Sequence, residues 1–566
     1  MKVTDYIVSF LRDKGIRDFF GYPGGVICHF IDSASKCPDV HTHLNYNEQG
    51  SAFAACGYAQ STNKPGVAFS TSGPGATNLV TGIANAYFDS IPCIFLTGQV
   101  DTYASADGYP IRQRGFQETN VVSMVKDISK WAIRIDDPNE IKYCLEKAFY
   151  IATTGNPGPV VLDLPADVQR AEVDIERIRS FTVLEDDYID YVNISDSILT
   201  RIAASKRPVI IAGNGIKQSG EKERFNSIIE KLGVPVVTSL PAFDLFSFTH
   251  PQYFGFIGTN GHRYANFLLG KADLIIAFGT RLDIRQIGLD RAKFAPQAQI
   301  IRVDIDAKSL SYFVHDDDTN YNIDLKLLFK ELMKGFFKQD YSEWMKVCKR
   351  IKEELAGYDD RDYNILISQI TDVIPDNINY TIDVGQHQLW LAQSARIKDN
   401  QVVFMSSGHG AMGYSLPAAI GVYYASQKPV VVFCGDGGLM MNVQELQFVK
   451  REQLPIKIFC VNNSSLGMIR GFQERNFNCN YQLTTETSGY LAPDLKKLAT
   501  AFGIKYSYVE TINDVSGVDF NDNKPEIIEL RVSKETVLEP NFGRTGQIQD
   551  QLPYMDRALF NMLMEL

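Results

Sequence analysis

No stretch of this chain is apolar for long enough to span a bilayer, which argues against an integral membrane protein. No basic cluster offsets its net charge of -11. A polyanionic partner such as nucleic acid is therefore not expected, because such partners are held chiefly by lysine and arginine on phosphates. None of the nine cysteines belongs to a C-x-x-C pair. Several, such as Cys434 in VVVFC and Cys460 in IKIFC, lie in apolar runs where a thiol acts as a small hydrophobe. That usage excludes a zinc site or a disulfide framework and points to a reducing, cytoplasmic setting. Low-complexity tracts and short repeats are missing too. What remains is a globular composition, 45% apolar and 22% charged, and 566 residues are too many for one core.

Three segments alternate strand and helix, the pattern of parallel α/β sheets. The first, residues 1–170, contains VAFS and PVVLDLP. The second, 190–335, contains RPVIIAGNG, ADLIIAFG and QIIRVDID. The third, 360–535, contains PVVVFC, PIKIFCV and EIIELRV. Residues 185–194 (EDDYIDYVNI) read as a linker, and 346–357 as a polar helical connection. Residues 536–566 form a tail with a short amphipathic helix. The expected fold is α/β, three doubly wound parallel-sheet domains in series.

The stretch 429–467, PVVVFCGDGGLMMNVQELQFVKREQLPIKIFCVNNSSLG, reads as one βαβ unit: buried strand, Gly-Asp-Gly-Gly turn, amphipathic helix, buried strand, Asn-Asn. A right-handed crossover sets both strand ends on one carboxyl edge, so Asp436 and Asn463 face a common crevice. A carboxylate and an amide oxygen are hard ligands that suit magnesium, and magnesium commonly keeps positions open for phosphates. Gly435, Gly437 and Gly438 allow close approach of the backbone to such a group.

GDG followed by NN after one helix and one strand resembles the signature of thiamine-diphosphate-dependent enzymes. The resemblance implies thiamine diphosphate bound through Mg2+, with Asp436, Asn463 and the main-chain carbonyl of Ser465 as metal ligands. It implies a catalytic glutamate in another α/β domain. Glu48 in NYNEQGSAFAACGYAQ fits that position, at a polar turn entering a helix of small residues. By the same resemblance Pro74 and Asn78 lie near the pyrimidine, and Gly410 offers a carbonyl to it. Met412 wedges between the cofactor rings. Gln386 and His387 approach the diphosphate, with Gly467 and Met468 completing the site. The minimum working unit would be a homodimer, Glu48 of one subunit meeting the metal site of its neighbour, with a homotetramer usual in the family.

Similarity runs along almost the whole chain and is nearest to the acetohydroxyacid (acetolactate) synthases, carried by GYPGGVICHFID, FLTGQV, GFQETNVV and GNPGPVVLDLPADV. It implies decarboxylation of pyruvate and transfer of a hydroxyethyl carbanion to a second carbonyl compound, with Gly25 and Gln99 near the reacting atoms. The central segment resembles the flavin-binding domain of the synthases. FAD would lie on Gly213, Asn214, Gly215, Ser239, Leu240, Gly279, Arg281 and Asp304. Asn156 and Ile257 depart from the synthase pattern, which usually has Arg and His there. Arg285 matches the arginine that holds the acceptor's carboxylate. Phe472 replaces a usual Trp, so the acceptor site differs in shape, while the longer segment after TGQV and the tail resemble relatives of bacterial surface-polysaccharide biosynthesis, which transfer the same acyl anion to a nucleotide-linked keto sugar. Three other readings stay open: transfer to a nucleotide-linked keto sugar, a flavin-dependent pyruvate oxidase, and a homologue that keeps the fold without catalysis.

Overall fold

The computed structural model describes residues 1–183, 189–335, 337–542 and 546–566. Residues 185–188 of the expected linker therefore lie outside the described residues, as do 543–545 of the tail. The N-terminal sheet comprises β1 (Asp18–Gly21), β2 (His41–Leu44), β3 (Gly66–Ser70), β4 (Cys93–Gln99), β5 (Trp131–Arg134) and β6 (Pro159–Pro165), in the order β2-β1-β3-β4-β6-β5. The central sheet comprises β7 (Pro208–Ala212), β8 (Val236–Thr238), β9 (Tyr253–Phe256), β10 (Leu274–Phe278), β11 (Gln299–Asp304) and β12 (Thr319–Asn322). Its order is β12-β11-β10-β7-β8-β9. The C-terminal sheet comprises β13 (Asn379–Ile382), β14 (Val403–Met405), β15 (Val430–Gly435), β16 (Ile456–Asn462), β17 (Lys505–Val509) and β18 (Glu526–Arg531). Its order, β14-β13-β15-β16-β18-β17, repeats that of the N-terminal sheet.

Every strand pair in the three sheets is parallel, and helices flank them. Central strands such as β4, β6, β10 and β16 are buried along their whole length. Covered on both faces, they carry unbroken apolar runs rather than alternating ones. Parallel strands all bring their carboxyl ends to one edge, which fixes where a site can form.

The N- and C-terminal domains share one hydrophobic core. Its seam is the packing of the helix Glu48–Thr62 on the helix Ser415–Ser426. A Cβ on Gly57 would stand 2.3 Å from the carbonyl oxygen of Ala418, and one on Gly421 1.8 Å from that of Ala54. Only glycine permits this approach.

Two expectations need revision. The helix expected within residues 346–357 is present as Ser342–Leu355, but it is not a free connection: its buried Trp344, Cys348, Ile351 and Leu355 pack on the central core at helical spacing. The end of the expected linker is also helical, since Tyr191–Ala204 starts after Asp190, which caps it by accepting from Asn193 N. The tail leaves the C-terminal domain and returns to the central one. Its helix Arg557–Glu565 packs on the central core, and buried Arg263 holds Asp359 and the carbonyls of Gln551 and Pro553. Among the described residues no helix is long and apolar enough to cross a membrane.

Candidate active site

The C-terminal half-site lies at the carboxyl ends of β13, β14, β15 and β16. Gly435 pairs with Val461 in the β15–β16 register, so Asp436 and Asn463 follow directly on adjacent strands. The helix Asp436–Met441 begins at the aspartate itself rather than after a Gly-Asp-Gly-Gly turn. A carboxylate in that first turn suits the positive end of the helix dipole. Asp436 is 2% exposed, and its Oδ2 has no hydrogen-bond partner. Burial pushes its carboxyl up to about 6. An orphaned buried carboxylate oxygen is costly unless something charged meets it. The Tyr490 hydroxyl nearby is also buried without a partner.

Asn463 donates from Nδ2 to Gln386 Oε1 and Thr536 Oγ1, 3.2 Å each, which fixes the amide so that Oδ1 faces the other way. Oδ1 accepts from Ser465 N at 3.1 Å and retains a second lone pair. The Ser465 hydroxyl donates to Thr484 O, anchoring its main chain. A Cβ on Gly467 would stand 2.1 Å from Gln386 Oε1, and one on Gly437 3.6 Å from Met412 Cε. Glycine therefore lines the floor of a cradle bounded by Met412. His387 is buried against Gly385 and Gly435, its Nε2 unpartnered, and burial lowers its pKa to about 4. It is neutral, with one ring nitrogen free. Gly410 has φ +65° and is half-buried in the turn after β14. Met468 and Phe472 are exposed on the helix Gly467–Asn476. A divalent cation bearing phosphates fits these donors: hard oxygens, an unpartnered carboxylate and a glycine floor.

Asp383 escaped the sequence reading. It directly follows β13 and is fully buried. Its carboxylate accepts from the amides of Gly413 and Tyr414 at 2.8 Å and Ser415 at 3.2 Å. Its Oδ2 lies where a Cβ on Gly438 would intrude, at 2.1 Å. Asp383 thus ties the Gly410–Met412 turn to the glycine floor. An acid just beyond a strand end was the available signal. Thr536, some seventy residues from Asn463, gave none.

The N-terminal half-site uses the carboxyl ends of β1 to β4. Glu48 is buried in the first turn of its helix, which Asn47 caps by accepting from Gln49 N. Asn78 Nδ2 donates to Glu48 Oε2 at 2.9 Å. Pro74 opens the helix Pro74–Asn78 that carries this partner. A Cβ on Gly25 would meet nothing within 4 Å, so its backbone borders open space. Gln99 is buried and committed to Thr119 O, Asp163 and Val100 N. Within one chain no hydrogen bond joins Glu48 to Asp436, Asn463 or Ser465 among the described residues.

A cavity of about 480 Å³ opens between the central domain and its neighbours. It lies where the central strand order reverses, between β7 and β10, the place where such sheets bind dinucleotides. Asn214, Gly215, Ser239, Leu240, Gly279, Arg281 and Asp304 line it, with Arg285, Asn156 and Ile257. Gly213 lies beneath, where its Cβ would stand 2.0 Å from Gly279 O. Arg281 donates to Phe88 O, and Asn156 to Asp306. The Arg285 side chain is exposed.

Comparison with known proteins matches three family models. Residues 1–124 match the thiamine pyrophosphate enzyme N-terminal TPP-binding domain, 195–332 the central domain and 383–521 the C-terminal TPP-binding domain. The chain is 35% identical to the acetolactate synthase large subunit of Lactococcus lactis, over 95% of this chain and 93% of the relative. It is 34% identical to the acetolactate synthase isozyme 2 large subunit of Escherichia coli, over 94% and 96%. It is 34% identical to the chloroplastic acetolactate synthase 1 of Zea mays, over 97% and 88%.

Proposed function

Because the chain belongs to the thiamine pyrophosphate enzyme family, within its acetolactate synthase group, we propose that it decarboxylates pyruvate and joins the resulting two-carbon unit to a second carbonyl compound. Thiamine diphosphate, when bound, supplies the electron sink for the charge left as carbon dioxide departs. The observation that carries this reading is the buried, unpartnered Oδ2 of Asp436 beside Asn463 at one sheet edge.

Asp436, Asn463 Oδ1 and the Ser465 carbonyl would hold Mg2+ and through it the diphosphate. Gly437, Gly438 and Gly467 leave room for the phosphates, and Met412 would set the bend between the cofactor rings. Glu48, oriented by Asn78, would hold or release a proton at the aminopyrimidine. The acetolactate synthase relationship supports a shared site, in which Glu48 of one subunit would meet the metal cradle of its neighbour. Met441, Ile469 and Phe472 are exposed around that cradle and suit such an interface. A homodimer is the minimum unit. FAD would occupy the central cavity as a structural group, and Arg285 on its rim would hold the acceptor's carboxylate.

The test is product analysis with pyruvate alone and with a panel of acceptors, with Mg2+ and thiamine diphosphate present. Rapid acetolactate formation from pyruvate alone is expected. Carbon dioxide release stimulated only by a sugar nucleotide would overturn the proposed acceptor, and anaerobic bleaching of bound flavin by pyruvate would overturn the carboligase reading.

A further inference from the structure

Glu445 opens the helix Glu445–Arg451 in the C-terminal domain and is fully buried. Its partners belong to the N-terminal domain. Oε2 accepts from Asn45 Nδ2 at 2.9 Å, and Oε1 accepts from the Tyr46 amide at 3.0 Å. These residues form the short link between β2 and the helix that begins at Glu48. Two residues past Glu48, a Cβ on Gly50 would stand 2.5 Å from Glu445 Oε1. Gly50 therefore leaves the space that the Glu445 carboxyl fills, and the backbone on both sides of Glu48 is gripped by one side chain.

We propose that Glu445 is a positioning residue for Glu48: the C-terminal domain sets the catalytic carboxyl of its own chain by holding the Asn45–Tyr46 link and seating against Gly50. The inference rests on the reading of Glu48 as the group that acts on the cofactor. Without Glu445, the Tyr46 amide and the fully buried Asn45 side chain lose their acceptor, and the link must move to find another. Glu48 follows directly, and a displacement of about 1 Å in a reacting group can lower a rate about 100-fold. The role is geometric rather than electrostatic. Burial raises the Glu445 carboxyl to about 7, so it is not a settled negative charge at neutral pH. Glutamine can take over. Its carbonyl accepts from Tyr46 N, and once the Asn45 side-chain amide turns over, its amide donates to Asn45 Oδ1, which has no partner in the native arrangement.

The test uses the holoenzyme with Mg2+ and thiamine diphosphate at saturation. It reads two quantities: the rate of hydrogen–deuterium exchange at the thiazolium carbon, and the affinity for thiamine diphosphate by titration. Glu445→Ala and Gly50→Ala are each expected to slow exchange about 10- to 100-fold while cofactor affinity stays within about 3-fold. Glu445→Gln is expected to exchange within about 3-fold of wild type. In a Glu48→Gln background, Glu445→Ala should add no further loss, as two residues on one route do not sum. Should Glu48→Gln itself exchange at the wild-type rate, the reading of Glu48 fails and the proposal with it. Should Glu48→Gln stop exchange while Gly50→Ala proceeds at the wild-type rate, Glu445 is only a domain contact. Gly50→Ala leaves the carboxyl present, so it decides the matter even where Glu445→Ala fails to fold. A parallel fall in affinity and exchange in Gly50→Ala would overturn positioning in favour of general disruption.

Discussion

Substituting Gly57 by alanine should move the Glu48 carboxyl, proposed here as the catalytic one, without touching it. The new Cβ would stand 2.3 Å from Ala418 O and 3.0 Å from Ala418 C, both backbone atoms of the helix Ser415–Ser426. Neither can swing aside as a side chain can. Relief requires the two helices to part by about 1 Å, and overpacking of this kind costs about 1–3 kcal/mol. Alanine's better helix propensity returns about 1 kcal/mol, leaving a net loss of up to about 2 kcal/mol. Gly421→Ala, at 1.8 Å from Ala54 O, should lose more. In domains of comparable size each kcal/mol lowers Tm by about 2–4 °C. Glu48 begins the displaced helix, so turnover of pyruvate should fall about 10- to 100-fold. Thermal unfolding and steady-state decarboxylation read both effects. Gly471→Ala provides the stability control, because its Cβ would meet only the mobile end of Arg475 at 3.4 Å. Wild-type Tm and wild-type turnover in both Gly57→Ala and Gly421→Ala would refute the close helix contact and the coupling drawn from it.

Asp436→Ala should act in opposite directions on stability and binding. Removing a buried carboxylate that has one oxygen without a partner should raise the Tm of the cofactor-free protein, whereas calorimetric affinity for thiamine diphosphate with Mg2+ should fall about 100-fold or more. A cofactor affinity equal to wild type would remove Asp436 from the metal site. His262 should make stability acid-sensitive. Burial holds its pKa down to about 4, with Nδ1 accepting from Phe256 N and Nε2 donating to Gln393 O. Between its ordinary 6.5 and about 4 the unfolded chain takes a proton that the folded chain refuses. That stability is complete above pH 6.5 and declines as pH falls, by roughly 3 kcal/mol at the lower end. Denaturant titrations from pH 4 to 7 should show a shallower slope for His262→Gln, and an unchanged slope would disprove the assignment. Arg263→Met should strand Asp359 and the tail carbonyls, costing about 3–5 kcal/mol and exposing residues 549–566 to protease. A tail as protected as in wild type would refute its anchoring through Arg263.

Legibility followed burial. Strands such as β10, β15 and β16 are covered on both faces, so their apolar runs stood out. The helix Ser342–Leu355 reads as a polar connection because charged residues fill much of its sequence, while Trp344, Cys348, Ile351 and Leu355 alone are buried in it. Asp436 and Asn463 were visible because one βαβ unit carries both at a fixed spacing. Glu445 and Thr536 were not, since their partners are 73 to 400 positions away.

The order of residues alone settled three parallel sheets, the strand ends where chemistry gathers, and a family whose motifs sit on those ends. Backbone polarity and apolar periodicity are local properties, so a linear string can carry them. Tertiary structure alone decided which buried carboxylates are satisfied and which are left without a partner. It decided that glycines let two helices touch, and that a C-terminal carboxyl, Glu445, holds the link that leads into Glu48. Those outcomes depend on close packing between distant segments, where a fraction of an ångström separates a hydrogen bond from a clash.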